Sequence, residues 1–577
     1  MLLNNASWAF ALLSFFIERG VKHFCLAPGS RSAPLALALG RATKHFPHIN
    51  IHTHFDERGL GFFALSVAKA SESPTVVITT SGTAVANLHP AVIEAYESEV
   101  GLIVISADRP DALLGCGANQ AIHQKKIFGD NVVRTENCIL PGNAAELKRQ
   151  LTALKGIGKH LSRPVHLNCQ FDEPLYVSQP EQEVPKLLRV LAAEELVATV
   201  VEQGCDYHNA VENSPYHSAL NTLQLLQKKI AAAKHCVVVL GAISPRQYQH
   251  LASWLKALPC PVIADIGSQH RFSMNENVIA HADMFICHQC YRKPLAPDLI
   301  VQFGARLVSK RLCEFIVSTN ADYFMLQETD TLLDPSRTAK VLPLAYARTS
   351  EYLNPSLCKN HHLELWQRAN QRCKTLLGDE LSGQWHEASL CAAVVQALPA
   401  GCTVLAGNSL AVRMLDSYAP SGAELSAIYT NRGASGIDGL LASAAGIAEG
   451  TSKTCFLFVG DTAFLHDLNS LALVKKCSLP VKIIVLNNNG GGIFSLLPAA
   501  EQPDFESLFK MPHHYQFQQA VAQFCLGYYR ATTLDELLQH LPSFVAAQEG
   551  AVLECILPGD DTGTSLNTLY RAVQEAL

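Results

Sequence analysis

The sequence predicts an α/β fold made of three consecutive parallel-sheet domains. Three observations predict it. At 577 residues the chain is too long for one core. Short β-branched runs, each followed by a turn rich in Gly, Ser or Asn and then by a helical pattern, recur along it, which is how parallel strands joined by helices are written. Residues 174–185, with three prolines in mostly polar company, interrupt the pattern as a linker does.

In chain order, the first strands are expected at 23–26, 49–55, 75–79 and 102–106, with a closing strand at 165–169. The linker ends this first domain, 1–185. A second set is expected at 236–240, 261–266, 299–303 and 323–327, fading into 335–343, and gives a domain over 186–355. The third set, 403–406, 454–459, 482–486 and 551–556, gives a domain over 356–577. Ligands of open parallel sheets bind beyond the carboxyl ends of the strands, so the loops after these strands are where chemistry is sought.

Composition narrows the function classes. Hydrophobic residues make up 48% and charged residues 17%, as in a folded globular protein. The net charge is −6, and without a basic run or zinc-finger spacing a nucleic-acid partner is not expected. The apolar stretch from Trp8 to Ile17 has no preceding Lys or Arg, is closed by Glu18-Arg19 and lacks a small-residue cleavage pattern. It therefore reads as a buried amphipathic helix and not as a signal peptide. No other stretch is long enough to span a bilayer. The 18 cysteines stand in apolar contexts such as Phe24-Cys25-Leu26 and Thr454-Cys455-Phe456, the pattern of buried reduced thiols in a cytoplasmic protein. Cys287 and Cys290 form a lone C-x-x-C pair, too few ligands for a zinc site.

The strongest chemical signal joins Val459-Gly460-Asp461 to Asn487-Asn488-Asn489-Gly490. An acid at one strand end and an amide cluster at the next, one helix apart, face one crevice. A carboxylate, an amide oxygen and a backbone carbonyl are hard ligands that suit Mg2+ holding a diphosphate. Alone, either loop reads as a helix N-cap or a turn. Glu57, after a strand and within His54-Phe55-Asp56-Glu57-Arg58, is a second acid at a strand end; alone it reads as a helix-start preference. The overlapping Gly59-Leu60-Gly61-Phe62-Phe63-Ala64 matches a dinucleotide fingerprint. That reading is rejected because Asp56 and Glu57 would set negative charge at the pyrophosphate and no acid follows about twenty residues on. Arginines stand among small residues in the remaining loops: Arg31, Arg109, Arg311, Arg413 and Arg432. A guanidinium grips a carboxylate through two parallel hydrogen bonds, so several converging on one crevice imply substrates with more than one carboxylate; singly, each is more often a surface ion pair.

Taken together the Gly-Asp and Asn-Asn loops resemble the thiamine-diphosphate motif, with Thr462 where that motif commonly has Gly. Pro28 to Ser32, His54 to Arg58, Thr80 to Asn87, Ala107 to Pro110, Gly117 to Gln120, Asn431 to Gly439 and Asn488 to Pro498 resemble the thiamine-diphosphate-dependent carboligase family of menaquinone biosynthesis. The middle domain matches least, apart from Lys310-Arg311. The resemblance implies domains of the thiamine-diphosphate enzyme type, pyrimidine-binding first and diphosphate-binding third. It also implies a transferase reaction in which 2-oxoglutarate is decarboxylated and the succinyl carbanion adds 1,4 to isochorismate.

By the same resemblance Glu57 activates the cofactor. Asp461, Asn488 and the Gly490 carbonyl hold Mg2+, with Mn2+ an alternative occupant. Ile437 props the cofactor in its bent form, and Ser409 serves both cofactor and substrate. Ser30, Arg31, Arg109, Asn119, Gln120, Lys310, Arg311, Arg413 and Arg432 form the polar substrate set, with Ile493, Phe494 and Leu497 as an apolar wall that otherwise reads as core. A homodimer, or a dimer of dimers, with active sites between subunits is implied. Another 2-oxo-acid decarboxylase or an acetohydroxyacid synthase, and a catalytically silent binding protein on this fold, stand as the alternatives.

Overall fold

The first sheet has the strand order β2-β1-β3-β4-β6-β5, with β1 at His23–Leu26, β2 at Asn50–Thr53, β3 at Thr75–Thr79, β4 at Leu102–Asp108, β5 at Arg134–Cys138 and β6 at Val165–Gln170. All its pairings are parallel. The computed structural model describes residues 3–158, 161–177, 216–304, 306–329, 331, 333–558 and 562–577; the expected linker lies outside the described residues from 178 onward.

The middle sheet runs β11-β10-β9-β7-β8, with β7 at Cys236–Leu240, β8 at Val262–Ala264, β9 at Leu299–Phe303, β10 at Asp322–Gln327 and β11 at Lys340–Pro343. The third runs β13-β12-β14-β15-β17-β16, with β12 at Thr403–Ala406, β13 at Ala427–Thr430, β14 at Cys455–Gly460, β15 at Val481–Asn487, β16 at Gly527–Ala531 and β17 at Ala551–Ile556. Numbered from its own first strand, the third sheet repeats the order of the first. In each sheet the order reverses between the first strand and the third, so the crevice at their carboxyl ends is the switch point at which such sheets bind ligands.

The α/β class and three successive sheets match the expectation, and the inner strands fall within a residue or two of it. Four strands were not expected as such: β5, β13 and β16 were missed, and β11 stood only as a fading tail. All four are sheet edges. Two expected strands, 49–55 and 261–266, are shortened to β2 and β8, also edges. The cause is physical. Central strands such as β3, β7 and β9 are buried along their whole length and read as continuous apolar runs. Edge strands β5, β11 and β16 are half solvated, so their sequences carry charge and polar residues.

Contacts divide the chain into two units. One comprises Met1–Asp206 with Asn431–Cys455 and Ala463–Val481; the other comprises Tyr207–Thr430 with Phe456–Thr462 and Lys482–Leu577. In the first unit the helix Asn5–Glu18 starts with a capping box between Asn4 and Ser7. It is not amphipathic as expected: every residue from Asn5 to Ile17 is buried, within the core that also holds Leu35, Leu39, Leu147 and Leu151. Two of its polar groups find partners inside, Trp8 Nε1 donating to Gln150 Oε1 at 2.7 Å and Asn5 Nδ2 to the Asp172 carbonyl at 2.6 Å. A helix covered on all sides has no polar face for its sequence to display. In the same unit the helix Leu440–Thr451 lies against the helix Glu57–Ser71, so closely that a Cβ at Gly446 would stand 2.4 Å from the Phe63 carbonyl oxygen. Gly59 and Gly61 sit inside the latter helix as packing positions against Ser470 and Ala91.

In the second unit the middle and third sheets share one large apolar cluster, which includes Val237, Ile300, Phe456 and Leu553. Among the described residues no helix is long and apolar enough to cross a membrane. Described cysteines such as Cys25, Cys236 and Cys455 are buried free thiols, whereas Cys116, Cys290, Cys313 and Cys525 are exposed.

Candidate active site

In the first unit the functional loops follow β1, β2, β3 and β4. Asp56 caps the helix Glu57–Ser71, its side chain accepting from the Arg58 amide at 3.1 Å. Glu57 is the first helical residue, half-buried. Its carboxylate has no hydrogen-bond or ion-pair partner among the described residues. Asp56 thus takes the cap, and Glu57 is the acid of the first turn. Just before them His54 is buried with neither ring nitrogen partnered, and burial pulls its pKa down to about 4.

At the β1/β3 switch point the two loops nearly touch: a Cβ at Gly29 would stand 2.4 Å from Thr80 Cβ. Arg109, at the end of β4 and 8% exposed, donates from Nη1 to Ser81 Oγ and to the Gln120 carbonyl, the latter at 3.0 Å. Gln120 has a left-handed backbone, φ 61°, and its Nε2 donates to the Ser81 carbonyl at 3.0 Å. Arg31 donates to the Phe171 carbonyl at 2.9 Å while its buried Nε has no partner. Burial, and then the charge of Arg31, lower the pKa of Arg109. Arg31 also lies 3.6 Å from Glu173 Oε1. Two neighbouring guanidiniums, one with an unused buried donor, make a setting that an anion relieves. Ser30, exposed, stands 3.5 Å from the Tyr176 hydroxyl. Asn119 is exposed beside Gln120. Arg432 and Ile437 lie on the loop before the helix Leu440–Thr451, with Ile437 37% exposed.

In the second unit β14 and β15 are neighbours, so their carboxyl ends bring Asp461 and Asn488 side by side. Asp461 is 1% exposed. Its Oδ2 accepts from the Gly490 amide at 2.9 Å and lies 3.2 Å from His513 Nε2. Thr462, the departure from the common motif, turns its amide and its hydroxyl to Asp461 Oδ1, so the hydroxyl steadies the carboxylate and does not displace it. Asn488 donates from Nδ2 to Glu387 Oε1 at 2.8 Å, which leaves its oxygen to face a ligand. Glu387, 1% exposed, also accepts from Thr562 Oγ1 at 2.8 Å.

Gly490 has φ 125°, a conformation L side chains rarely adopt, and a Cβ there would be 2.2 Å from the Lys510 carbonyl oxygen. The loop after β12 carries Ser409 at φ 68°, ψ −124°, a strained backbone of the kind that collects at binding sites; Arg413 Nη1 donates back to its carbonyl at 2.6 Å. A buried carboxylate, an amide oxygen set free by its partner and a glycine-only turn fit an octahedral hard cation on a diphosphate.

Elsewhere in this unit Ser309 caps the helix Lys310–Ser318. Arg311 pairs with Asp283 at 2.7 Å and lies over the Tyr570 ring, its centre 3.9 Å from the centroid. Lys310 is 89% exposed, near Glu314. Ile493 packs against the core, Phe494 faces Phe509 at 5.9 Å between ring centroids, and Leu497 is 48% exposed.

Models of thiamine pyrophosphate enzyme domains match the chain in order: the N-terminal thiamine pyrophosphate binding domain at residues 7–127, the middle domain at 209–404 and the C-terminal binding domain at 411–555. A protein of Shewanella baltica strain OS185 is 37% identical, with 95% of each chain covered. Proteins of Pasteurella multocida strain Pm70 and Haemophilus influenzae strain PittGG are 34% and 35% identical over 99% of this chain and 98% of their own. All three are named 2-succinyl-5-enolpyruvyl-6-hydroxy-3-cyclohexene-1-carboxylate synthase. The chain belongs to that synthase family.

Membership makes the three-sheet architecture that of a thiamine pyrophosphate enzyme. Glu387, Thr562 and His513, which stand beside the Asp461 and Asn488 loops, were not singled out in the sequence. Glu387 had a signal, a lone acid at the head of the apolar run Ala388 to Val395. A buried charge needs a partner. His513 and Thr562 carried none, because their neighbours come from distant parts of the chain.

Proposed function

We propose that this protein decarboxylates 2-oxoglutarate and joins the resulting four-carbon unit to isochorismate by 1,4-addition, with thiamine diphosphate and Mg2+, giving 2-succinyl-5-enolpyruvyl-6-hydroxy-3-cyclohexene-1-carboxylate. The observation that carries the reading is Glu57: an unpartnered carboxylate at the carboxyl end of an α/β strand, in a chain that aligns end to end with synthases of that name. When bound, thiamine diphosphate would supply the electron sink that decarboxylation of a 2-oxo acid needs.

The chain's own residues do the rest. Glu57 exchanges a proton with the aminopyrimidine ring. Asp461, Asn488 and the Gly490 carbonyl would hold Mg2+ or Mn2+, and Ile437 and Ser409 would shape the cofactor's seat. Arg31 and Arg109 receive a carboxylate with Ser30, Asn119 and Gln120 around it, and Lys310, Arg311, Arg413 and Arg432 complete the cationic set. Ile493, Phe494 and Leu497 form the apolar wall. Guanidinium–carboxylate bonds of this kind are charge-assisted and planar, which orients a substrate as well as holding it.

The domains 1–185, 186–355 and 356–577 are part of the same reading, supported by β6 ending at Gln170, β7 beginning at Cys236 and β12 beginning at Thr403. Exposed Leu508, Met511 and Tyr515 support a homodimer or a dimer of dimers with sites between subunits. Buried free thiols support a cytoplasmic setting.

The test is loss of isochorismate absorbance on mixing protein, thiamine diphosphate, Mg2+ and 2-oxoglutarate, with Glu57→Gln as control. Consumption that needs every component and vanishes in the variant is the expected result. Release of succinic semialdehyde alone, with isochorismate untouched, would replace the synthase reading by a decarboxylase.

A further inference from the structure

Glu94, on the helix His89–Glu97, is 3% exposed although ionisable. Its Oε1 accepts from the Gly433 amide at 2.9 Å and from Ser98 Oγ at 2.7 Å; its Oε2 accepts from the Ala434 amide at 2.7 Å. Lys69, on the helix Glu57–Ser71, lies 3.9 Å from Glu94 Oε1 and donates to Asn431 Oδ1 at 3.0 Å. Burial lowers the pKa of Lys69 and the charge of Glu94 opposes that. Asn431 in turn donates to Ser443 Oγ at 2.7 Å. Gly433 has no room for a side chain, since a Cβ would meet Ser98 Oγ at 2.6 Å and the Glu94 carbonyl oxygen at 2.8 Å.

A buried ion pair is a poor source of net stability, because desolvation of both groups offsets their attraction. What distinguishes this pair is where its bonds go. Lys69 takes the residue before Arg432, and Glu94 takes the two residues after it. The loop is therefore held on both sides of that one arginine by charge-assisted hydrogen bonds, through the Asn431 side chain before it and through the backbone amides of Gly433 and Ala434 after it, the strong class of such bonds.

We infer that Glu94 and Lys69 are positioning residues: a buried clamp that sets the Asn431–Ala434 loop so that Arg432 is held ready for a substrate carboxylate. The inference rests on the proposed reading of Arg432 as a substrate contact. The clamp touches no substrate and acts through the loop alone.

Two readouts on the full-length enzyme with thiamine diphosphate and Mg2+ test it. Hydrogen exchange at residues 431–439 reads the clamp directly: Glu94→Gln is expected to speed exchange of the Gly433 and Ala434 amides about tenfold or more, the loss of one charge-assisted bond. Steady-state kinetics read its purpose. Glu94→Gln is expected to raise KM for the substrate whose KM is raised by Arg432→Ala, with kcat within about twofold, and to add nothing in the double variant, since a group acting only through Arg432 has no effect once Arg432 is gone. Unchanged exchange would overturn the clamp. Faster exchange with parental KM, or additive effects in the double variant, would reduce it to a structural ion pair and overturn the inference. If Arg432→Ala leaves both KM values at the parental level, the reading of Arg432 fails, and the exchange data separate that failure from failure of the clamp. Lys69→Met, close in volume and uncharged, repeats both measurements should Glu94→Gln not fold.

Discussion

Gly490→Ala tests the proposed diphosphate site by geometry alone. The residue holds φ 125°, a region that costs a side-chain-bearing residue about 1–3 kcal/mol. The added Cβ would stand 2.2 Å from the Lys510 carbonyl oxygen, short by 0.8 Å of the 3.0 Å that real contacts respect. The obstacle is backbone, and that same carbonyl accepts the Gly491 amide at 2.6 Å, so it cannot retreat without breaking the turn. The Gly490 carbonyl must move instead, by something near an ångström, and a misplacement of that size costs about 100-fold in rate. The expected outcome is turnover reduced about 100-fold and a higher Mg2+ concentration for half-maximal activity, with the circular dichroism spectrum retained because Gly490 lies beyond the end of β15. Steady-state rates across an Mg2+ titration check it. A variant with parental turnover and parental Mg2+ dependence would refute the assignment of this turn to the metal.

Glu387→Gln keeps an oxygen for Asn488 and Thr562 and is expected to weaken Mg2+-dependent cofactor binding modestly. Glu387→Ala strands two buried donors, at about 1–3 kcal/mol each, and is expected to weaken it by more than tenfold; thiamine diphosphate titration followed by tryptophan fluorescence distinguishes the two. Arg109→Met removes a guanidinium from the switch point and is expected to raise KM for a carboxylate substrate by about 30-fold, equivalent to about 2 kcal/mol for hydrogen bonds to a charged group; an unchanged KM for both substrates would remove Arg109 from the site.

Asp467 gives a pH-dependent prediction. Burial pushes its pKa up from 3.8 to about 6, against bonds from the Ala442 amide, Ser470 and the Leu441 amide. The folded chain thus holds this proton more tightly than the unfolded chain. The group's stability contribution is full below about pH 4 and is lost as pH rises through 6, by about 3 kcal/mol for the two-unit gap. Asp467→Asn can keep both amides on its oxygen and donate to Ser470, so it is expected to raise Tm at pH 7.5 relative to the parent and to leave it near parental at pH 4. Melting curves of equal separation at the two pH values would contradict this.

How far the sequence reaches follows from which forces act locally. The central strands were legible because full burial writes continuous β-branched runs, as at residues 236–240 and 299–303. The edges β5, β11 and β16 were not, because pairing on one side leaves polar residues that read as loop. Glu57, Asp461 and Asn488 could be singled out as candidates because each sits just past a strand and the chemistry proposed for it is carried by residue type. That Asp56 takes the cap while Glu57 stays unpartnered is a matter of backbone angles and reach, which residue type alone does not settle.

The sequence by itself determined the α/β class, the three successive sheets and the candidates for the chemistry, since period, turn residues and charge are local properties. Only the tertiary structure decided the strand order, the buried surroundings of the first helix and the partners of those residues. Glu94 meets the loop at 433–434, and Glu387 meets Asn488, across separations of more than a hundred residues along the chain. Such pairings depend on how helices pack on sheets, and no local pattern records them.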